Sequence, residues 1–162
     1  PEGSELRGLL ARMRESEVRA VAIEVSAQAL TQRRVDGLMF DVVSFLNLGH
    51  DHLDDYAGMD DYFRAKLPLF DPDRARRAVV SLDTEWGEQV VAAARGAVVT
   101  IAAERDVPAD WTLTVLEEHS AFTRFRLDGP DGRSLTSAVP VIGRHMAANA
   151  GLAIVIDRKS VV

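Results

Sequence analysis

Apolar positions along the chain keep two rhythms. From Ser4 to Val18 they recur near helical spacing, at Leu6, Leu9, Leu10, Met13 and Val18, with Ser4 as a candidate N-cap; this stretch predicts an amphipathic helix. Arg19 to Val25 (RAVAIEV) is a short, β-branched apolar run suited to burial on both faces of a parallel sheet, and it predicts a first strand. Ser26 to Arg33 turns helical, Asp36-Gly37 marks a turn, and Val42 to Leu46 predicts a second buried strand. Met59 to Phe70 predicts a helix stopped around Pro68 and Asp71-Pro72. Ala78 to Leu82 predicts a third strand, Glu85 to Arg95 a helix, and Ala97 to Ile101 a fourth strand. Strands alternating with helices imply βαβ units.

Past Pro108 the rhythm changes. WTLTVLEEH, AFTRFRLDG and SLTSAVPV alternate polar and apolar residues between turn signals at Glu117-Glu118-His119-Ser120 and Gly129-Pro130-Asp131-Gly132. That is the pattern of a small antiparallel sheet with one wet face, over about 109–140. From Gly143, GRHMAANAGLAIVI returns to a helix. The expected fold class is therefore α/β, a mostly parallel sheet flanked by helices with a small antiparallel β addition.

Composition narrows the function. The 162 residues suit one domain, and 47% hydrophobic with 27% charged residues is ordinary globular usage. A net charge of −6 and a pI near 5.2 argue against a general nucleic-acid or anionic-membrane binder. The absence of cysteine removes disulfide frameworks and thiolate metal sites. The apolar runs are too short to span a bilayer and PEGSELRG is no signal peptide, so no membrane insertion and a cytoplasmic location are expected. Both ends read as cut: the chain starts at Pro1, and Asp157 to Val162 (DRKSVV) drops the apolar pattern and matches the translation of a common sequencing-library adapter. The expected bounds are a partial domain at 1–156 and a non-native tail at 157–162.

Ligand-type side chains concentrate in Asn47 to Lys66 (NLGHDHLDDYAGMDDYFRAK), with two histidines, five aspartates and a lysine. Glu24 ends the first expected strand, Asn47 closes the second, and His50-Asp51-His52 follows it. Open α/β sheets bind ligands outside the carboxyl ends of their strands, so Glu24, Asn47 and His52 are expected at one edge. Carboxylate and imidazole suit a divalent cation that also holds phosphate oxygens. A lone strand-end glutamate is more often an ordinary polar terminus; His52 and Asn47 at corresponding strand ends are what favour a site. His50-Asp51 is not read as the pair of helical metal phosphohydrolases, because it follows a strand. Asp54, Asp55, Asp60 and Asp61 read as a solvated loop and helix start, the last two favoured by the helix dipole. Lys66 lies beside an apolar stripe of Phe63, Leu67 and Phe70, where a surface lysine with its stem along that stripe accounts for it.

The ordered series AIEVSAQALTQRRVDG, FLNLGHDHLDDY, DYFRAKLPLF, AVVSLDTEWG and GRHMAANAGLA resembles the central domain of the Mur ligases, and looks most like the MurE type. The resemblance covers nearly the whole chain before the tail. It implies a P-loop-NTPase-like fold and an ATP-dependent amide ligase of peptidoglycan synthesis, working through an acyl phosphate on UDP-N-acetylmuramoyl-L-Ala-D-Glu and an incoming amino acid. By resemblance, Glu24 and His52 bind the Mg2+ ions that bridge ATP and the acyl phosphate. Lys66 matches a lysine that becomes carbamylated, which turns an ammonium into an anionic oxygen ligand and requires a neutral amine first. Ser26, Gln32 and Arg34 match positions that hold the UDP-muramoyl-peptide, and the planar fork of Arg34 suits a carboxylate or phosphate. Asn47 and Asn149 match asparagines near the nucleotide.

Ala27, Gln28, Leu46, Gly49-His50 and Met146 depart from the family pattern, which bears on adenine contacts more than on metal or substrate positions. No G-x-x-G-K-[ST] phosphate loop occurs in the 162 residues, so the fragment alone is expected not to catalyse ligation. Another amide ligase of the superfamily, of folylpolyglutamate or cyanophycin type, and a non-catalytic nucleotide- or metabolite-binding module stay open as alternatives.

Overall fold

The computed structural model describes residues 3–49 and 55–157. The chain begins with helix α1 (Gly3–Glu15), which ends where Glu17 takes a left-handed conformation (φ 59°) and the Val18 N–H reaches back to the Met13 carbonyl at 2.9 Å. None of its residues is fully buried, and only Leu6 meets the core.

The strand expected at Arg19 to Val25 is not formed. That segment joins none of the sheet's ladders, and Val21 and Ile23 are 45% and 38% exposed. A parallel strand is made by hydrogen bonds to a neighbour. β-Branched composition favours a pleated surface without supplying one.

Helix α2 (Ala27–Thr31) follows, capped by Ser26, whose hydroxyl accepts the Ala29 N–H at 3.1 Å. It closes with Arg33 left-handed (φ 58°) and the Arg34 N–H on the Ala29 carbonyl at 2.8 Å. This reversal delivers Asp36 to Arg74, 2.7 Å away. Strand β1 (Val43–Phe45) then pairs parallel with β2 (Arg77–Ser81), and β2 with β3 (Ala97–Ala102). Helix α3 (Met59–Lys66), continued by a tight turn over Leu67–Phe70, and helix α4 (Glu85–Ala93) are the crossovers.

Strand β4 (Trp111–His119) joins β3 in parallel through only two pairs, Ile101↔Trp111 and Ala102↔Thr112. It starts beside the end of β3, so the short connection over 103–110 has little distance to recover. Asp110 fastens it, accepting from both the N–H and the hydroxyl of Thr100 at 2.8 and 2.9 Å. Strands β5 (Phe122–Asp128) and β6 (Ser134–Val139) continue as an antiparallel meander. The antiparallel part expected at about 109–140 therefore extends the same six-stranded sheet, in the order β1 to β6.

Each face of the sheet carries its own core. On one, Phe45 of β1 meets Phe63 and Phe70 edge-on at 6.5 and 6.3 Å, and Phe63 meets Trp86 of α4 at 4.9 Å. On the other, helix α5 (Arg144–Asp157) sets Ala147, Gly151, Leu152 and Val155 against Val79, Ile101, Trp111, Leu113, Phe125 and Leu127. Small residues on α5 bring it close: a β-carbon on Gly151 would lie 2.4 Å from a Leu113 methyl.

Candidate functional site

The register Phe45↔Val80 and Ser81↔Ile101 aligns the carboxyl ends of β1, β2 and β3 at one edge of the sheet. Leu46-Asn47, Asp83-Thr84 and Ala103-Glu104 emerge there, facing His145, Ala148, Asn149 and Leu152 of α5 across a cavity of about 200 Å³. Ser81 and Ile101 complete the lining. Asn47 and Asn149 are exposed, so both carboxamides are open to a ligand.

Asp83 organises one wall. One carboxylate oxygen accepts the N–H groups of Ala103, Glu104 and Arg105 at 2.8, 2.7 and 3.3 Å, and the other accepts the Ser81 hydroxyl at 3.1 Å. Arg105 closes the same turn by donating to the Leu82 carbonyl at 3.1 Å and pairing with Glu88 at 2.8 Å. Thr84 is the N-cap of α4 without a capping bond from its side chain. Its hydroxyl is buried and has no hydrogen-bond partner among the described residues, leaving a polar group unsatisfied at the cavity. The arrangement offers amides, hydroxyls and a carboxylate beside the apolar Leu46, Ile101 and Leu152. It can take a flat, polar-edged group, with the carboxyl edge of the sheet directing it.

Residues 1–156 match the profile described as the Mur ligase middle domain. The chain belongs to that family. It is 59% identical over 155 residues to a UDP-N-acetylmuramyl-tripeptide synthetase of Leifsonia xyli subsp. xyli, covering 96% of this chain and 30% of the relative. It is 41% identical over 155 residues to a UDP-N-acetylmuramoyl-L-alanyl-D-glutamate–2,6-diaminopimelate ligase of Streptomyces coelicolor, covering 96% of this chain and 31% of that one. Among solved structures, a UDP-N-acetylmuramoyl-L-alanyl-D-glutamate–2,6-diaminopimelate ligase superposes with a TM-score of 0.73 at 25% identity, over 85% of this chain and 28% of that chain. MurF from Acinetobacter baumannii shares the fold with a TM-score of 0.60. The chain thus spans under a third of the length of these relatives.

Within this Mur ligase middle domain the expected site residues separate. Asn47 and Asn149 share the cavity. Glu24 is exposed on the unpaired segment, and Lys66 ends α3 half-buried, its Nζ 4.9 Å over the Tyr62 ring; neither lines the cavity. Ser26 is occupied as the cap of α2, Gln32 is an exposed C-cap, and Arg34 is half-buried just after the left-handed Arg33. Gln28 reaches forward to donate to Asp55, tying α2 to the approach to α3. His52, with His50, Asp51 and Asp54, lies outside the described residues. Among the described residues no group of three or more His, Asp or Glu side chains could hold a metal, so these residues alone do not assemble a cation site.

Sequence reasoning missed Ser81, Asp83, Thr84, Glu104 and His145 as cavity residues. The strand-end rule that singled out Glu24 and Asn47, applied to β2 and its S-L-D-T continuation, would have found the first three. The shifted titrations lie elsewhere: the hydrogen bond from Arg74 holds the Asp36 carboxyl below its ordinary range, and those from Ser134 and Arg126 do the same for Asp128.

Proposed function

We propose that this chain is the middle-domain part, over residues 1–156, of an ATP-dependent amide ligase that adds the third amino acid to UDP-N-acetylmuramoyl-L-Ala-D-Glu in peptidoglycan synthesis. Residues 157–162 lie past the stretch that matches the family. The observation that carries the reading is the cavity of about 200 Å³ at the carboxyl edge, lined by Asn47 from just past β1 and by Asn149 of α5. The 59% identity to a tripeptide synthetase supports the same reaction.

In that reaction the substrate carboxylate attacks the γ-phosphorus of ATP and ADP leaves, giving an acyl phosphate. The amine of the amino acid then attacks the carbonyl carbon, inorganic phosphate leaves, and loss of the amine proton completes the amide. Magnesium bound with ATP supplies charge neutralisation at the phosphoryl oxygens. Glu24, His52 and a carbamylated Lys66 are the side chains we assign to it from the family resemblance, each offering oxygen or nitrogen donors suited to a divalent cation. Ser26, Gln32 and Arg34 are assigned to the UDP-linked substrate. No described helix is long and apolar enough to cross a membrane, and the nucleotide-linked substrates fit a cytoplasmic reaction.

The test is direct. The full-length protein carrying this chain, given ATP, magnesium, the UDP-muramoyl-dipeptide and either meso-diaminopimelate or L-lysine, is expected to release ADP and form the tripeptide product. ADP release without amide formation from either amino acid would overturn the reading. The 162-residue chain alone is expected to release no phosphate.

A further inference from the structure

Three backbone N–H groups converging on one oxygen form a concave anion site of the kind that proteins use to hold phosphate. Here the chain fills that concavity with its own carboxylate. Asp83 follows β2, whereas the N–H groups of Ala103, Glu104 and Arg105 follow β3, so a single side chain ties two adjacent strand ends together at the cavity.

Arg105 braces the same turn from outside, through the Leu82 carbonyl and Glu88, while Asp83 takes the N–H groups of the turn itself. Strand β3 ends at Ala102, and the ladder to β4 consists of two pairs. Beyond it, Ala103 and Glu104 line the cavity on a turn whose N–H groups point at Asp83. The Ser81 hydroxyl fixes the second carboxylate oxygen, so the plane of the group is set from the strand below. Charge-assisted bonds of this kind are short and about twice as strong as neutral ones, and removing their acceptor strands the donors.

We propose that Asp83 is a positioning residue: by winding residues 103–105 around its carboxylate it sets the cavity wall and thereby the affinity of the cavity for a nucleoside. The proposal rests on the reading of this cavity as the nucleotide side of the site. Asp83 acts through the turn, and its signature is a change in nucleoside affinity that outlasts any change in global stability.

The experiment uses the full-length protein carrying this chain with adenosine as the probe, followed by amide shifts of Asn47 and Asn149, with thermal unfolding and amide exchange measured on the same samples. The wild-type protein is expected to bind at millimolar concentration. Asp83→Ala is expected to weaken adenosine about tenfold and to speed exchange at residues 103–105. Asp83→Asn keeps an acceptor oxygen and is expected to recover most of the affinity; it is also the folded variant should alanine unfold the protein. Wild-type affinity in a folded Asp83→Ala protein, or in Asp83→Asn with fast exchange at residues 103–105, would overturn the proposal while leaving the cavity reading intact. Failure of the wild-type protein to bind adenosine would overturn both.

Discussion

Gly87 lies so close beneath Ser81 that a β-carbon on it would sit 1.9 Å from the Ser81 carbonyl oxygen. The neighbour is backbone in a central strand, so it cannot turn aside as a side chain would. Gly87→Ala should therefore cost about 1–3 kcal/mol, the usual range for overpacking, read as a lower urea midpoint at unchanged slope. Because Ser81, Asp83 and Thr84 sit on the same strand-to-helix turn, ligand shifts at the cavity should weaken in the same variant.

Acid should erode stability through two carboxyls. Asp128 is held below the ordinary range first by the Ser134 hydroxyl and then by Arg126, and Asp36 chiefly by Arg74. A depressed folded value means the contribution is complete above the unfolded value of about 3.9 and disappears as pH falls through the folded one. Urea midpoints should thus hold steady from neutral pH to about 5 and fall below about 4. Asp128→Asn should flatten that acid limb; an unchanged slope in this variant counts against the assignment.

Ser26 has a structural task that a substrate role must be separated from. Its hydroxyl caps a helix of five residues, and Ser26→Ala should cost about 1 kcal/mol in unfolding experiments. Ser26→Asn preserves the cap and should restore stability. If Ser26 also touches the UDP-linked substrate, the asparagine variant of the full-length enzyme should keep its stability and lose apparent affinity for that substrate.

Lys66 carries the sharpest chemical expectation. In the full-length enzyme its side chain should carry the added mass of one carbon dioxide under native mass spectrometry, and Lys66→Ala should lower turnover about a hundredfold or more, as loss of a charge-stabilising group does. Forming the carbamate would give up the contact of its ammonium with the Tyr62 ring. Full activity in Lys66→Ala removes Lys66 from the site.

Much of the fold was legible because its signals are local. The alternation in WTLTVLEEH marks a strand that runs from Trp111 to His119, and the apolar run around Ala78 marks one at Arg77–Ser81. The helix expected from Met59 to Phe70 splits into α3 and a tight turn because Pro68 cannot continue the backbone hydrogen bonds. Arg19 to Val25 failed for the opposite reason: its composition is that of a strand, yet pairing depends on a neighbour that no local pattern reports. The cavity was half legible. Asn47 and Asn149 stood out by resemblance, but Asp83 earns its place through N–H groups twenty and more positions away, a relation that spacing along the chain does not display.

The two-pair junction between β3 and β4 also bears on how the chain reaches this structure. Strands β4, β5 and β6 pair with one another across tight reversals, so those contacts close short loops, whereas β1, β2 and β3 meet across intervening helices. Short loops cost less entropy to close, and topologies dominated by them form faster. The meander is thus placed to form early and to offer β3 a ready edge, with Trp111, Phe125 and Leu127 buried once α5 packs over them. On that order of events the cavity-lining half of the sheet is assembled last, and local opening of the native protein should begin there.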